Sequence, residues 1–229
     1  MMKLIIAGAT GFVGAEVVRQ SLQHPNITAV VALSRTPLDL PHHSKLQNVI
    51  IEDYGVYPES VRISFEEADA CIWTVAITPI KARGMPFEEV KRVCQDCAIT
   101  GLRTMHAAAV NRPFRFVYVS AITSERDQSK RPLLFTQYVL MRGEAENQLH
   151  AISMESKGQL ESCAAKPGII TAATFTTKSI IALSSKLFMC SVCVTECAAA
   201  MLDQVLNGFT SESLLNDDMV TIGRRVLNQ

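Results

Sequence analysis

Along the 229-residue chain, apolar residues fall into short unbroken runs, and between the runs they recur every three or four positions. The runs Lys3–Ala7, Thr28–Ser34, Asn48–Glu52, Ala70–Val75, Phe114–Ser120 and Ser162–Lys166 are rich in Val, Ile and Ala and read as strands. Gly11–Gln23, Ser60–Ala68, Pro86–Asn111 and Leu133–Glu155 carry the helical spacing. Strands that are apolar at every position, rather than at every second one, need cover on both faces, and only a parallel sheet between two helical layers supplies it. The expected fold class is therefore α/β, a doubly wound parallel sheet in a single domain. No internal repeat, low-complexity stretch or Pro/Gly/Ser linker cuts the chain.

After Pro167-Gly168 the alternation stops. Ile169–Met189 is crowded with Thr, Ser and Ala, and Thr195–Leu206 reads as a helix closed by Asn207-Gly208. Residues 169–229 are expected to form a short C-terminal segment that faces a substrate and is too small for a separate lid.

Composition narrows the partners. With 48% hydrophobic and 19% charged residues the chain can bury a sizeable core, and Lys+Arg and Asp+Glu both number 22. A balanced charge offers no field for nucleic acid or an anionic membrane, so a small molecule is the expected partner. The start, MMKLIIAGATGFVGAEVV, has a lysine and an apolar run like a secretion signal, but its glycine spacing gives a better account. The later apolar stretch Ser179–Met189 is short and interrupted by Lys186, below the roughly 18 residues of a membrane span. A cytoplasmic protein, monomeric or homodimeric, is expected. The seven cysteines include a C-x-x-C at Cys94 and Cys97 and a cluster at Cys190, Cys193 and Cys197. Zinc ligation is one reading of such pairs. Both clusters lie in apolar, helix-like sequence, which favours reduced, buried thiols and no metal.

The first strand runs straight into Gly8-Ala9-Thr10-Gly11-Phe12-Val13-Gly14. A strand, a glycine turn and a helix start together make an anion site, with outward amides, a favourable helix dipole and no Cβ atoms in the way. In the first βα turn this pattern points to a dinucleotide pyrophosphate in a Rossmann-type sheet, with Gly8, Thr10, Gly11, Phe12, Val13 and Gly14 around it. The second strand should say which dinucleotide. An acidic residue about 20 positions on would accept from a ribose 2′-hydroxyl. None stands between Val17 and Leu38, and Ser34-Arg35 ends the strand instead. Arginine there can meet a 2′-phosphate through a bidentate, charge-assisted contact, so NADP(H) is expected over NAD(H). A solvated arginine at a strand end is the plainer reading of Arg35.

The chain also carries Ser120 in FVYVSAIT and Tyr138 with Arg142 in YVLMRGEAE. Together with GATGFVG, DACIW and KPGIIT, these resemble the short-chain dehydrogenase/reductase superfamily, and within it the atypical branch of small NAD(P)-binding, NmrA-like proteins. The resemblance spans nearly the whole chain. It implies that Ser120 hydrogen-bonds a substrate carbonyl and that Tyr138 gives or takes the proton as hydride moves. It implies that Asp53 flanks the adenine and that Thr74, Val75, Ala76 and Ile77 line the cofactor. Lys166, Pro167, Gly168 and Ile169 would approach the nicotinamide amide. The family commonly has lysine four residues after the tyrosine, where Arg142 stands here. Arginine supplies positive charge and ribose hydrogen bonds but does not titrate, so it cannot pass a proton.

Plainer roles exist for each residue: Ser120 as a strand-end cap, Tyr138 as a half-buried helix tyrosine, Trp73 as strand packing, and His42, His43 and His106 as surface or packing residues. Met141 and Met189 suit core use as well as contact with an apolar substrate. The sequence leads to an NADP(H)-dependent oxidoreductase acting on a carbonyl or alcohol of a small, fairly apolar metabolite. A non-catalytic NADP(H) sensor, or a non-redox isomerase or cyclase using the same pocket, stands as the alternative.

Overall fold

The computed structural model describes residues 1–109, 113–172 and 190–228. Its elements are β1 (Met2–Ala7), α1 (Phe12–Gln23), β2 (Ile27–Ser34), β3 (Leu46–Ile50), α2 (Glu59–Arg62), β4 (Ala70–Trp73), α3 (Phe87–Lys91), α4 (Cys97–Ala108), β5 (Phe114–Val119), α5 (Thr136–Glu155), β6 (Leu160–Lys166), β7 (Ile169–Thr171), β8 (Ser191–Cys193), α6 (Val194–Asn207), β9 (Ser213–Leu215) and α7 (Asn216–Leu227). Seven strands form one sheet in the order β3-β2-β1-β4-β5-β6-β9, and every pairing in it is parallel. The reversal of strand order falls between β1 and β4, the place where open α/β sheets bind ligands. A small parallel pair, β7 with β8, stands apart from the sheet.

The two faces of the sheet bury two separate sets of side chains, which explains the unbroken apolar strands. Leu4, Ile6, Val30, Ala32 and Ile72 point into one core with Val17, Val18, Ala198 and Met201 of α1 and α6. Ile5, Ala7, Val31, Leu33 and Trp73 point into the other with Ala98, Leu102, Ala145 and Leu149 of α4 and α5. Trp73 is fully buried, edge-on to Tyr54 at 5.6 Å between centroids and tilted against Phe116 at 6.1 Å.

Several elements differ from the sequence expectation. The helix expected over Ser60–Ala68 is one turn, α2, followed by a 3-10 turn at Ile63–Phe65, and it ends where Glu67 takes φ 57°. The single helix expected over Pro86–Asn111 is α3 and α4 joined by a π-helical turn, Arg92–Asp96. Its expected end at Asn111 lies outside the described residues, as do Met189 and the stretch Ser179–Met189. The helix expected from Leu133 begins at Thr136, after Phe135 takes φ 52°. The C-terminal segment, expected to face substrate throughout, packs largely into the domain body: α6 covers the sheet and β9 extends it beyond β6. Among the described residues, no helix is long and apolar enough to cross a membrane.

Candidate active site

The chain leaves β1 through Gly8, whose φ of +83° lies in the left-handed region that side chains disfavour. A Cβ at Gly8 would stand 2.6 Å from Thr74 Oγ1. Thr74 donates to the carbonyls of Ala7 at 2.8 Å and Gly8 at 3.2 Å, tying the turn to the end of β4. Gly14, one turn into α1, comes so close that a Cβ would lie 2.2 Å from the Gly8 oxygen. Gly11 forms the N-cap with an ordinary φ of −76°, no side-chain cap and no acidic residue in the first turn. Thr10, Gly11 and Phe12 are exposed and Val13 is half-buried. An uncapped helix start on a glycine turn leaves amides and a positive dipole end for an anion, so these residues fit a pyrophosphate.

Beside this turn lies a cavity of about 290 Å³ lined by Arg35, Asp53, Tyr54, Val75, Ala76 and Ile77, among others. It gathers five of the residues expected at a cofactor, Arg35, Asp53, Val75, Ala76 and Ile77, from the ends of β2 and β4 and the loop after β3. Arg35 is exposed, and its charge acts on the Tyr54 phenol, which burial holds up at about 12. Ser34 takes no part in the cavity surface: it is fully buried and donates to the Thr36 carbonyl at 2.6 Å. Asp53 is held by its own surroundings. Its carboxylate accepts the Gly55 amide at 2.7 Å and pairs with Arg92 at 2.7 Å. The Gly55 bond first, and the Arg92 charge after it, keep this carboxyl below the ordinary aspartate range.

Tyr138 stands half-buried on the first turn of α5 and donates to the Ile77 carbonyl at 2.9 Å. Ile77 lines the cavity with Arg35, so this bond joins the phenol to the cleft beside the glycine turn. Burial raises the Tyr138 phenol above its ordinary value, and the Arg142 charge works against that rise. Arg142 itself is 2% exposed. Its guanidinium donates through Nη2 to the Val119 carbonyl at 2.5 Å and stacks 4.6 Å from the centroid of Tyr118, while Nε and Nη1 have no hydrogen-bond partner among the described residues. It lies beneath the cleft against β5, away from the open surface on which a ribose contact was expected. Tyr118 is fixed in turn by its bond to the Cys94 carbonyl, 2.6 Å, on the π-helical turn. The Cys94 thiol accepts the Ile77 amide at 3.2 Å.

Ser120, at the end of β5, points into a network the sequence reading missed. Its hydroxyl donates to Glu146 Oε1 at 2.5 Å and lies 3.0 Å from the Ser124 hydroxyl. The Ser124 hydroxyl lies 2.5 Å from the same carboxylate oxygen and 2.5 Å from the Ala121 carbonyl, with one proton to donate to either. Glu146 Oε2 pairs with Lys166 Nζ at 3.1 Å, and Lys166 also donates to the Ser124 carbonyl at 3.3 Å. Tyr138, Arg142 and Glu146 recur every four residues and form a polar stripe on one face of α5, a signal open to sequence inspection. Pro167 accepts the Ile122 amide at 2.9 Å, Gly168 donates to Asn216 at 3.0 Å, and Ile169 opens β7. These three therefore join the loop after β5 to α7 and β8.

All seven cysteines are free thiols, and the described residues contain no group of three His, Cys, Asp or Glu placed to hold a metal.

The fold and the glycine turn define a dinucleotide-binding protein, and the comparisons agree. The chain belongs to the NAD(P)H-binding family whose model matches residues 8–207. A curated relative, leucinostatins biosynthesis cluster protein T of Purpureocillium lilacinum, is 32% identical over 123 residues. That match takes in 52% of this chain but only 42% of the relative, so the chain corresponds to less than half of that protein. Among solved structures, a short chain dehydrogenase from Burkholderia cenocepacia in complex with NADP matches with TM-score 0.69 and 14% identity, covering 99% of this chain and 92% of its own. MoeE5 in complex with UDP-glucose and NAD matches with the same TM-score and identity, covering 99% and 82%. At such identity the structures speak for the fold alone. The family match and the fold are consistent with the resemblance to the short-chain dehydrogenase/reductase superfamily drawn from the sequence.

Proposed function

We propose that the protein is an NADP(H)-dependent oxidoreductase acting on a carbonyl or alcohol of a small, fairly apolar metabolite. The observation that carries this reading is the bond from Tyr138 to Ile77, because it fixes a proton-bearing phenol to the wall of the cleft that Arg35 also lines. The glycine turn and the start of α1 would hold the pyrophosphate, Arg35 the 2′-phosphate, and Val75 to Ile77 the adjoining surface. When bound, the nicotinamide supplies or accepts a hydride. Tyr138 and Ser120 then serve the substrate oxygen, and the buried Arg142 charge keeps the phenol more acidic than burial alone would leave it.

An apolar substrate is favoured by the surroundings of this edge of the sheet. Phe12, Ile80, Met85, Ile122, Leu134 and Phe135, all in segments that follow β1, β4 and β5, are between 38% and 76% exposed. Exposed large apolar groups on these segments, with Met85 in the cavity wall, suit an apolar ligand. The relative's place in a biosynthesis cluster fits a metabolite as substrate. A cytoplasmic monomer or homodimer working on a small molecule completes the reading.

Two measurements test it. Calorimetric titration should give tighter binding of NADPH than of NADH, and Arg35→Ala should cost NADPH binding roughly 1.5–3 kcal/mol, the range for a hydrogen bond to a charged group. Equal affinities in the wild type would remove the NADP(H) assignment. Oxidation of NADPH with a panel of aldehydes, ketones and quinones should reveal turnover, which Tyr138→Phe lowers. Binding without turnover on any substrate would favour the cofactor sensor, which the deep burial of Arg142 also suits.

A further inference from the structure

We infer that Cys94 is a positioning residue of this site: its thiol holds the Ile77 peptide on which Tyr138 is set, and its carbonyl holds the Tyr118 ring on which Arg142 is set. The inference rests on the oxidoreductase reading above for what Tyr138 does, and on hydrogen-bond geometry for how it is held. The thiol accepts the Ile77 amide at 3.2 Å and donates to the Ile77 carbonyl at 3.6 Å, a length usual for sulfur, so one side chain grips one residue at both of its polar ends. The same Ile77 carbonyl accepts the Tyr138 phenol at 2.9 Å. The Cys94 carbonyl accepts the Tyr118 hydroxyl at 2.6 Å, and the Tyr118 ring lies 4.6 Å from the Arg142 guanidinium. Carbonyl oxygens only accept and amides only donate, so the sense of each bond is fixed by the atoms that make it.

These contacts close a ring. It runs from Tyr138 to Ile77, Cys94, Tyr118 and Arg142, and one turn of α5 returns it from Arg142 to Tyr138. The loop after β4, the π-helical turn, β5 and α5 each supply a member. Cys94 is the member that meets both arms.

The local fold explains why a residue at this place can do so. In the π-helical turn the Cys97 amide bonds the Arg92 carbonyl, five residues back instead of four. A turn with one residue more than an α-turn drops a carbonyl out of the regular ladder, and a buried carbonyl needs a partner from elsewhere. Tyr118 is that partner for Cys94. The thiol is fully buried with Val90 and Met141, and Ile77, Ala82, Phe87 and Tyr138 pack around them in a small cluster apart from the two main cores. Beyond Ile77, the described hydrogen bonds of the loop are short-range, Ala82 to Thr78, Arg83 to Ile80 and Met85 to Ala82, and Ile80 is 76% exposed. Ile77 is therefore where this wall of the cleft is fastened. Without the thiol it keeps its bond to Tyr138, and the phenol then moves with the loop. Proton transfer suffers from such movement, because reacting atoms must approach within about 3–3.5 Å.

The first part of the test needs neither cofactor nor substrate. The chain has four tyrosines, so labelling with 3-fluorotyrosine gives four fluorine resonances, and the one lost in Tyr138→Phe belongs to Tyr138. A phenol that donates to a carbonyl is held in its neutral form, so loosening that bond lowers its titration midpoint. Cys94→Ala and Cys94→Val remove the thiol with and without loss of volume, and both should shift the Tyr138 resonance and lower its alkaline midpoint. Cys94→Ser keeps a donor and an acceptor and should stay near the wild type. If a folded Cys94→Ala or Cys94→Val keeps the wild-type resonance and midpoint, the thiol does not hold the phenol and the inference falls. The second part uses NADPH with 4-nitrobenzaldehyde and menadione as probes. Cys94→Ala should lower kcat by about 10-fold to 10²-fold, the scale of a small misplacement at a reacting group, with KM for NADPH changed far less. Cys94→Ser should restore most of the loss. A loss confined to KM, or a Cys94→Ser as impaired as Cys94→Ala, would make Cys94 packing alone and overturn the assignment. If the wild type turns over neither probe, the oxidoreductase reading is what fails, and the fluorine spectra still decide whether Cys94 holds Tyr138.

Discussion

Replacing Arg142 by Met should leave the fold nearly as stable as before and still weaken catalysis. The guanidinium is buried with one hydrogen bond, one aromatic contact and two donors without partners. Losing the bond to Val119 costs about 1.5–3 kcal/mol, since the donor is charged. Losing the contact with the Tyr118 ring costs about 2 kcal/mol in a desolvated setting. Against this, removing the two orphaned N–H groups recovers about 1–3 kcal/mol each. The sums nearly offset, and methionine fills the same channel, so the net change should lie within about 1 kcal/mol of zero or favour the variant. For a domain of this size that is a shift of roughly 2–4 °C in Tm.

Lysine at the same place should fare worse. Its ammonium is strongly hydrated, and the carboxylate in range, Glu146, is already engaged by Lys166, Ser120 and Ser124. A cost above about 3 kcal/mol is expected for a buried charge with poor partners. This reverses the ranking that the family pattern suggests, in which lysine would be the natural replacement. In Arg142→Met the phenol of Tyr138 loses the charge that opposes its upward shift, so turnover near neutral pH should fall while the protein stays folded. Urea denaturation of the three proteins, with turnover measured beside it, decides the matter. If Arg142→Met loses more than about 3 kcal/mol and Arg142→Lys loses none, the guanidinium is better satisfied than this account allows, and the argument fails.

Two further outcomes follow from local geometry. Gly14→Ala places a Cβ 2.2 Å from the Gly8 oxygen and should both destabilise the fold, by about 1–3 kcal/mol, and weaken NADPH binding in calorimetry; Gly11→Ala, with an ordinary φ and a nearest contact of 3.1 Å, should be milder, and equal effects would show that close packing is not the constraint. The Asp53 carboxyl has its folded-state value depressed, so its contribution to stability is complete above the ordinary aspartate value of 3.8 and is lost as pH falls through the lower, folded value; the Tm gap between the wild type and Asp53→Asn should therefore shrink on acidification below that point, and a gap that widens would contradict the pairing with Gly55 and Arg92.

What the sequence made legible was local. The glycine turn can be read because Gly8, Gly11 and Gly14 lie within seven residues and the close approach at Gly14 is to the Gly8 backbone, whereas the contact of Gly8 with Thr74 after β4 leaves no mark in that spacing. The strands β1, β2, β4 and β5 can be read because each sends buried apolar side chains into both cores, while β3 and β6 carry polar residues such as Gln47, Asn48 and Glu161 and are read from their place between helices. The seventh could not. β9 is three residues long and joins the sheet only through Ala164, Ala165 and Lys166, which is too short for any periodicity to register. The C-terminal segment was therefore assigned wholly to the substrate side, although α6 and β9 complete the domain.

The site divides along the same line. Tyr138 and Arg142 are four residues apart, so one helical turn was enough to pair them in sequence. Their actual partners, Ile77 and Val119, are 61 and 23 residues away, and no spacing rule reaches that far. Glu146 belongs to the same polar stripe and passed unread because its meaning depends on Ser120, Ser124 and Lys166, which meet only when β5 and β6 lie side by side under α5. The arginine that looked out of place in the motif is thus half of a wider change. A buried arginine stands where a lysine was expected, and a lysine on the neighbouring strand pairs with the Glu146 carboxylate that meets Ser120.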